Sequence, residues 1–204
     1  MAAPPGTPLR DSERINLEKA VVLLVDDNAQ ALDILGQVLS GFGVRQTHRC
    51  ASAFEAMEVL KNTRVDLVVT DANMPEMDGW KLVRWIRTEG GEANRFVPAI
   101  VCTGYTRQSQ VFRARDCGAN FVIAKPITPR VVLERIFWVA GDQRLFIECD
   151  AYVGPDRRWK REGPPAGMEG RRSDDLPPEV GAATSPNMSQ DQIDSLLKPA
   201  KVTL

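Results

Sequence analysis

Across residues 20–140 the chain alternates short, unbroken apolar runs with longer stretches in which apolar positions recur every three or four residues. The short runs are rich in Val, Ile and Leu, as in strands buried on both faces. The longer stretches have the period of helices that turn one face to a core. The pattern predicts strands at AVVLLV (20–25), GVRQTH (43–48), VDLVVT (65–70), VPAIVCT (97–103) and NFVIA (120–124). Between them lie four helical stretches, AQALDILGQVLSGF, SAFEAMEVLKN, GWKLVRWIRTE and RQSQVFRARDCG, and a fifth helix is expected over residues 129–140. Strand and helix in strict alternation predict an α/β fold, an open five-stranded parallel sheet doubly wound with helices on both faces.

The pattern breaks after about residue 141. Pro, Gly, Arg and Asp dominate through Pro178, and GAATSPN follows as a small-residue linker. Such a composition buries too little apolar area to fold alone, so a largely disordered C-terminal extension is expected. Near the end, MSQDQIDSLLKP supplies Ser189 as an N-cap and Ile193, Leu196 and Leu197 on one face, which predicts one short amphipathic helix.

Composition narrows the classes. The 204 residues carry a formal net charge of -1, so no global attraction to nucleic acid or membrane exists and any basic function is local. Cys50, Cys102, Cys117 and Cys149 are scattered without a C-x-x-C pair, which points to reduced thiols and a cytoplasmic setting. The start MAAPPGTPLRDSER lacks a signal-peptide pattern, and no apolar run approaches the length needed to span a bilayer.

Chemistry gathers at the strand ends. In open α/β sheets, ligands bind beyond the carboxyl ends of the strands. There the first strand is followed by Asp26 and Asp27, the third by Asp71, and the fifth by Lys125, while the fourth ends in Thr103. Carboxylates brought together repel unless a hard divalent cation and an ammonium compensate, and Mg2+ with Lys125 would do so. An ionised Asp71 could then attack a phosphoryl group whose oxygens face the metal, the Thr103 hydroxyl and Lys125.

LLVDDN, TDANMPEMDGW, CTG and AKP resemble the four signatures of CheY-like response-regulator receiver domains. The resemblance implies Asp71 as phosphoacceptor, Asp27 as a direct metal ligand, Asp26 as a ligand through water, and Asn73 as a ligand through its carbonyl. It implies Thr103 and Lys125 as phosphoryl contacts, a cis Lys125–Pro126 peptide, and a histidine kinase as phosphodonor. The sequence departs from the family at Val122, three residues before Lys125, where receivers carry an aromatic switch residue. Phe121 alternates to the other side of the strand, and Tyr105 is the ring nearest Thr103 in sequence.

A second cluster needs explaining. Residues 157–172 hold six basic and two acidic residues around Trp159. Arginine can fork onto guanine O6 and N7 or clamp phosphate, aromatic rings stack on bases, and a carboxylate accepts from guanine's opposite edge. One compact ligand with guanines and phosphates, cyclic di-GMP, satisfies the whole set. YVGPDRRW followed by GRRSDD resembles the arginine-rich extension of the Cle family of CheY-like cyclic-di-GMP effectors. That resemblance implies a ligand shell of Arg157, Arg158, Trp159, Arg171, Arg172 and Asp174, with Asp156 and Tyr152 at its edge.

SQDQIDSLL also resembles the amino-terminal segment of the flagellar switch protein FliM, with Gln192 in place of its Glu. This implies that residues 188–198 dock on the chain's own receiver in helix-in-groove fashion. The resemblances together imply action on FliM or a related motor component, with recruitment to the flagellated pole. The expected organisation is a disordered stretch over 1–18, a receiver domain over 19–141, an arginine-rich segment over 142–178, and linker plus helix over 179–204. Two rival readings remain: an ordinary phosphorylation-controlled receiver, and a nucleic-acid binder, which the lack of a helix-turn-helix disfavours. An independent enzyme is not expected, because no second nucleophile or general acid completes a turnover on a foreign substrate.

Overall fold

The computed structural model describes residues 16–105, 108–142, 144–149, 152–156 and 188–197. Five strands form one parallel sheet in the order β2-β1-β3-β4-β5. They are β1 (Val21–Val25), β2 (Gln46–Cys50), β3 (Leu67–Asp71), β4 (Ala99–Thr103) and β5 (Phe121–Ala124). Crossover helices α1 (Ala29–Gly41), α2 (Ala53–Asn62), α3 (Gly79–Glu89) and α5 (Gln108–Asp116) join them, with a one-turn α4 (Gly91–Asn94) before β4 and α6 (Pro129–Ala140) after β5. Strand alternation divides the core in two. Leu23, Val25, Val68, Val101 and Val122 face α2, α3 and α5, whereas Val22, Leu24, Val69, Ile100 and Phe121 face α1 and α6. Each Leu or Val taken wholly out of water adds roughly 1.5–3 kcal/mol, and Leu23 and Leu24 are both fully buried.

Local signals start the helices where expected. The Asn28 side chain caps α1 by accepting from Gln30 and Ala31 N–H, Asp78 caps α3 at Lys81 N–H, and Thr128 caps α6 just before Pro129. The second strand lies later than the pattern predicts. Gly43 adopts a positive φ of 95° in the turn after α1, so the chain reaches the sheet only at Gln46. Leu17 packs against the α1–α6 face, so the part of the 1–18 stretch that is described is tied to the receiver.

The main departure from expectation is a hairpin beyond α6. β6 (Phe146–Cys149) and β7 (Tyr152–Pro155) pair antiparallel and pack β7 against α3. An isolated two-stranded hairpin is marginal in water, so the receiver must supply its stability. Part of that support is the fully buried Arg87 of α3, which braces the receiver loops under the hairpin and faces its Phe146 ring. That guanidinium donates to the Gly118 carbonyl at 3.0 Å, the Arg95 carbonyl at 2.9 Å and Asn120 Oδ1 at 3.3 Å, and it lies 5.1 Å from the Phe146 ring centroid. Gly118 has φ +89°, and a Cβ there would come within 2.5 Å of the Val153 carbonyl. The hairpin backbone therefore seats directly on a glycine.

The tail helix forms as expected. α7 (Gln190–Leu197) contacts α5 and β5, and Ile193 is fully buried in the α2–α3–α5 core. Ser189 N–H donates to Gln192 Oε1 at 2.8 Å and Ser189 Oγ accepts from Gln192 N–H at 3.3 Å, a reciprocal cap on the first turn. The side chains of Leu196 and Leu197 lie outside the described ones.

Candidate functional site

Register brings the polar strand ends to one rim. Val25 pairs with Cys50 and Thr70, Asp71 with Cys102, and Thr103 with Ala124. Asp26, Asp71, Thr103 and Lys125 thereby leave four adjacent strands at the same end of the sheet. Asp26 and Asp71 are nearly shielded from water, and the Lys125 ammonium bridges them, at 3.1 Å from Asp26 Oδ2 and 2.5 Å from Asp71 Oδ1. The other Asp71 oxygen accepts from Asn73 N–H at 2.6 Å, and Asp26 Oδ1 accepts from Asn28 N–H at 2.9 Å. Burial disfavours the ammonium, but its bonds to Asp71 and Asp26 and their charges outweigh that and hold Lys125 above its ordinary 10.5.

The backbone is shaped to permit this. A Cβ on Gly79 would lie 2.0 Å from the Asp71 carbonyl oxygen, so only glycine lets α3 begin against the end of β3. Asp78, the cap of α3, also takes Arg113 of α5 at 2.9 Å, linking the loop after Asp71 to that helix. Thr103 is buried, and its hydroxyl donates to the Tyr105 carbonyl and accepts from Tyr105 N–H. The Tyr105 ring is 59% exposed, so it does not fill the core position of an aromatic switch. Val122 and Phe121 are both buried on opposite faces, as alternation requires. The Lys125–Pro126 peptide is cis. Next to Asp71 across the sheet, burial pushes the Cys102 thiol up to about 12, so it stays neutral and adds no nucleophile.

Of the three carboxylates expected to share a cation, the structure brings together two. Asp27 and Asn73 are exposed, and among the described residues no three His, Cys, Asp or Glu side chains converge as a metal cage. The reason is local: Asp26 turns inward onto Lys125 and Asn28 N–H, while its sequence neighbour is left at the surface. The donor set nonetheless suits a hard divalent ion. Asp26 and Asp71 put two charges against the single ammonium of Lys125, and Asp27 and Asn73 supply further oxygens on the same loops.

The second set of candidates is divided. Arg157, Arg158, Trp159, Arg171, Arg172 and Asp174 lie outside the described residues. Tyr152 is buried and its hydroxyl donates to the Pro155 carbonyl at 2.6 Å, so in this arrangement it supports the hairpin turn. Asp156 N–H bonds the Leu145 carbonyl at 2.7 Å, which closes the hairpin beside the first arginines. Sequence reasoning missed Arg87, Asn120 and Gln190. An arginine in an amphipathic helix and a glutamine in a tail carry no local sign that distant backbone groups will use them.

A parallel 2-1-3-4-5 sheet with an acid pair, a hydroxyl and a lysine at its carboxyl rim is the architecture of a receiver domain. The family model described as "Response regulator receiver domain" matches residues 22–137, and the chain belongs to that family. It is 35% identical to chemotaxis protein CheY1 of Helicobacter pylori (strain J99), over 59% of this chain and 96% of that protein. CheY4 of Vibrio cholerae superposes with a TM-score of 0.55 at 27% identity, over 59% of this chain and 98% of that one. The receiver domain of the Pseudomonas aeruginosa sensor histidine kinase PA1611, which carries a magnesium ion in its active-site cleft, superposes at 0.52 with 28% identity, over 59% and 98%. The family match ends before β6. Among the described residues no helix is long and apolar enough to cross a membrane.

Proposed function

We propose that this chain is a CheY-type response regulator that accepts a phosphoryl group on Asp71 and acts on the flagellar motor switch, with its arginine-rich segment tuning that action through cyclic di-GMP. The single observation that carries the first part is the buried Asp71 carboxylate 2.5 Å from Lys125 at the rim of the sheet. In the reaction, an Asp71 oxygen forms a new P–O bond as the donor's bond to phosphorus breaks. With acetyl phosphate, acetate leaves with the electron pair and needs no proton. A histidine kinase is the expected cellular donor.

Lys125 moves its ammonium from the Asp71 oxygen to the phosphoryl oxygens, where Thr103 donates once its hydroxyl leaves the Tyr105 carbonyl. Asn73 N–H keeps the acceptor carboxylate oriented. Mg2+, held by Asp26, Asp27, Asp71 and the Asn73 carbonyl, would supply charge neutralisation between carboxylates and phosphoryl group. Acetyl phosphate with Mg2+ should add one phosphoryl mass to the wild type and none to Asp71→Asn; equal spectra would remove the acceptor role.

The cyclic-di-GMP reading is supported by the fold at one point: the hairpin closes at Asp156, directly before Arg157, so the basic segment leaves from an anchored position. Full-length protein should bind cyclic di-GMP and lose it when Arg157, Arg158, Arg171 and Arg172 become Ala. Equal binding of cyclic di-AMP and GMP, or a steep salt dependence indifferent to base, would instead indicate a phosphate-driven nucleic-acid segment. Occupation of the α5–β5 face by α7 supports the self-docking reading.

A further inference from the structure

α7 is attached to the receiver by more than its apolar face. Gln190, its first residue, accepts from Ala124 N–H through Oε1 at 2.7 Å and donates through Nε2 to the Val122 carbonyl at 3.1 Å. β5 is the last strand of its sheet, and these two groups sit on alternate residues of its outer edge. A carboxamide has the donor and acceptor of a peptide group, so Gln190 pairs with the edge as one residue of an added strand would. Its position is set from two directions. Ile193 is fully buried in the cluster that contains Val122 and Ala114, Met188 packs against that cluster, and the Ser189–Gln192 cap fixes the turn in between.

The clamped strand runs straight into the acceptor site. Ala124 precedes Lys125, whose own N–H bonds the Thr103 carbonyl at 2.8 Å and whose ammonium rests on Asp71 and Asp26. The inner edge of this segment is thus held by β4 and the outer edge by Gln190. Both hold the segment that carries the Lys125 ammonium onto the Asp71 carboxylate.

We infer that Gln190 is a positioning residue for phosphoryl transfer: its amide stabilises the resting placement of Lys125, so tail docking slows phosphorylation of Asp71 and phosphorylation loosens the tail. The two effects share one coupling free energy, because each event shifts the same segment. This rests on the acceptor role of Asp71 proposed above.

The test uses the full chain with acetyl phosphate and Mg2+. Gln190→Ala should phosphorylate faster than wild type by about ten-fold, the scale of two amide hydrogen bonds. Gln190→Glu, which retains the acceptor for Ala124 N–H but sets a carboxylate against the Val122 carbonyl, should fall between them. Hydrogen exchange gives the readout that a merely structural role would not move: the Ala124 amide should be protected in wild type and lose protection when beryllofluoride mimics the acyl phosphate. An unchanged or slower Gln190→Ala rate overturns the inference, as does acceleration on deleting residues 188–204 that Gln190→Ala fails to reproduce. A wild type that takes up no phosphoryl group removes the acceptor reading, and this inference with it.

Discussion

The hairpin and the tail helix both lie beyond the family's matched residues, yet they are held in opposite ways. The hairpin's strands are four residues each and depend on a buried guanidinium, a glycine seat and edge contacts such as the Arg95–Glu148 ion pair and the Phe96–Phe146 ring pair. The tail carries its own helical period and cap, and among its described contacts with the receiver are a groove for Ile193 and Met188 and an open strand edge for Gln190. The first is part of the receiver's packing. The second is a ligand tied to it, and ligands can leave. A fold can therefore lose the tail at the cost of one local docking equilibrium, whereas losing the hairpin's support disturbs the core beneath it.

The sharpest way to break this contrast is Arg87→Met. The Gly118 and Arg95 carbonyls would lose this donor while Asn120 Oδ1 keeps Ala99 N–H, and each buried unsatisfied acceptor costs roughly 1–3 kcal/mol, so global stability should fall by about 2–5 kcal/mol in denaturant unfolding. A drop below about 1 kcal/mol would make the hairpin as dispensable as the tail.

Val122→Phe should act on the tail before it reaches the hairpin. Added bulk in the cluster shared with Ile193 overpacks it, and release of α7 caps the cost at about 1–3 kcal/mol. Nuclear magnetic resonance should then show Ala124 and Ile193 shifting while hairpin signals stay in place. Hairpin signals that move together with the tail's would mean that the two extensions are one cooperative unit.

The smallest expected effect is on pH. Lys125 has a raised value in the folded state, so its contribution is complete below the ordinary 10.5 and is lost only as pH climbs through the higher folded value. Neutral-range titration should leave the tail docked. Tail release near neutrality, followed by Ala124 exchange, would show that some other group controls the clamp.

Thiol chemistry separates the two regions in the same spirit. Burial pushes Cys50 up to about 11 and Cys117 up to about 12, while Cys149 lies exposed on β6. Native protein should therefore alkylate at Cys149 first, and modification of Cys117 should report opening of the core under the hairpin.

What could be read in advance follows from range. Strand runs, helix periods, the cap at Ser189, and the polar residues at strand ends are all properties of neighbouring residues. From them the sequence alone determined the doubly wound sheet, the polar rim of Asp26, Asp71, Thr103 and Lys125, and the tail helix. Tertiary structure decided the rest: that Asp26 turns inward while Asp27 stays out, that Arg87 reaches the Gly118 loop 31 residues away, and that Gln190 finds a strand edge 66 residues before it. Those contacts satisfy backbone groups that the local chain leaves open, and which side chain will reach them is settled only when the sheet, with its unpaired edge, has already formed.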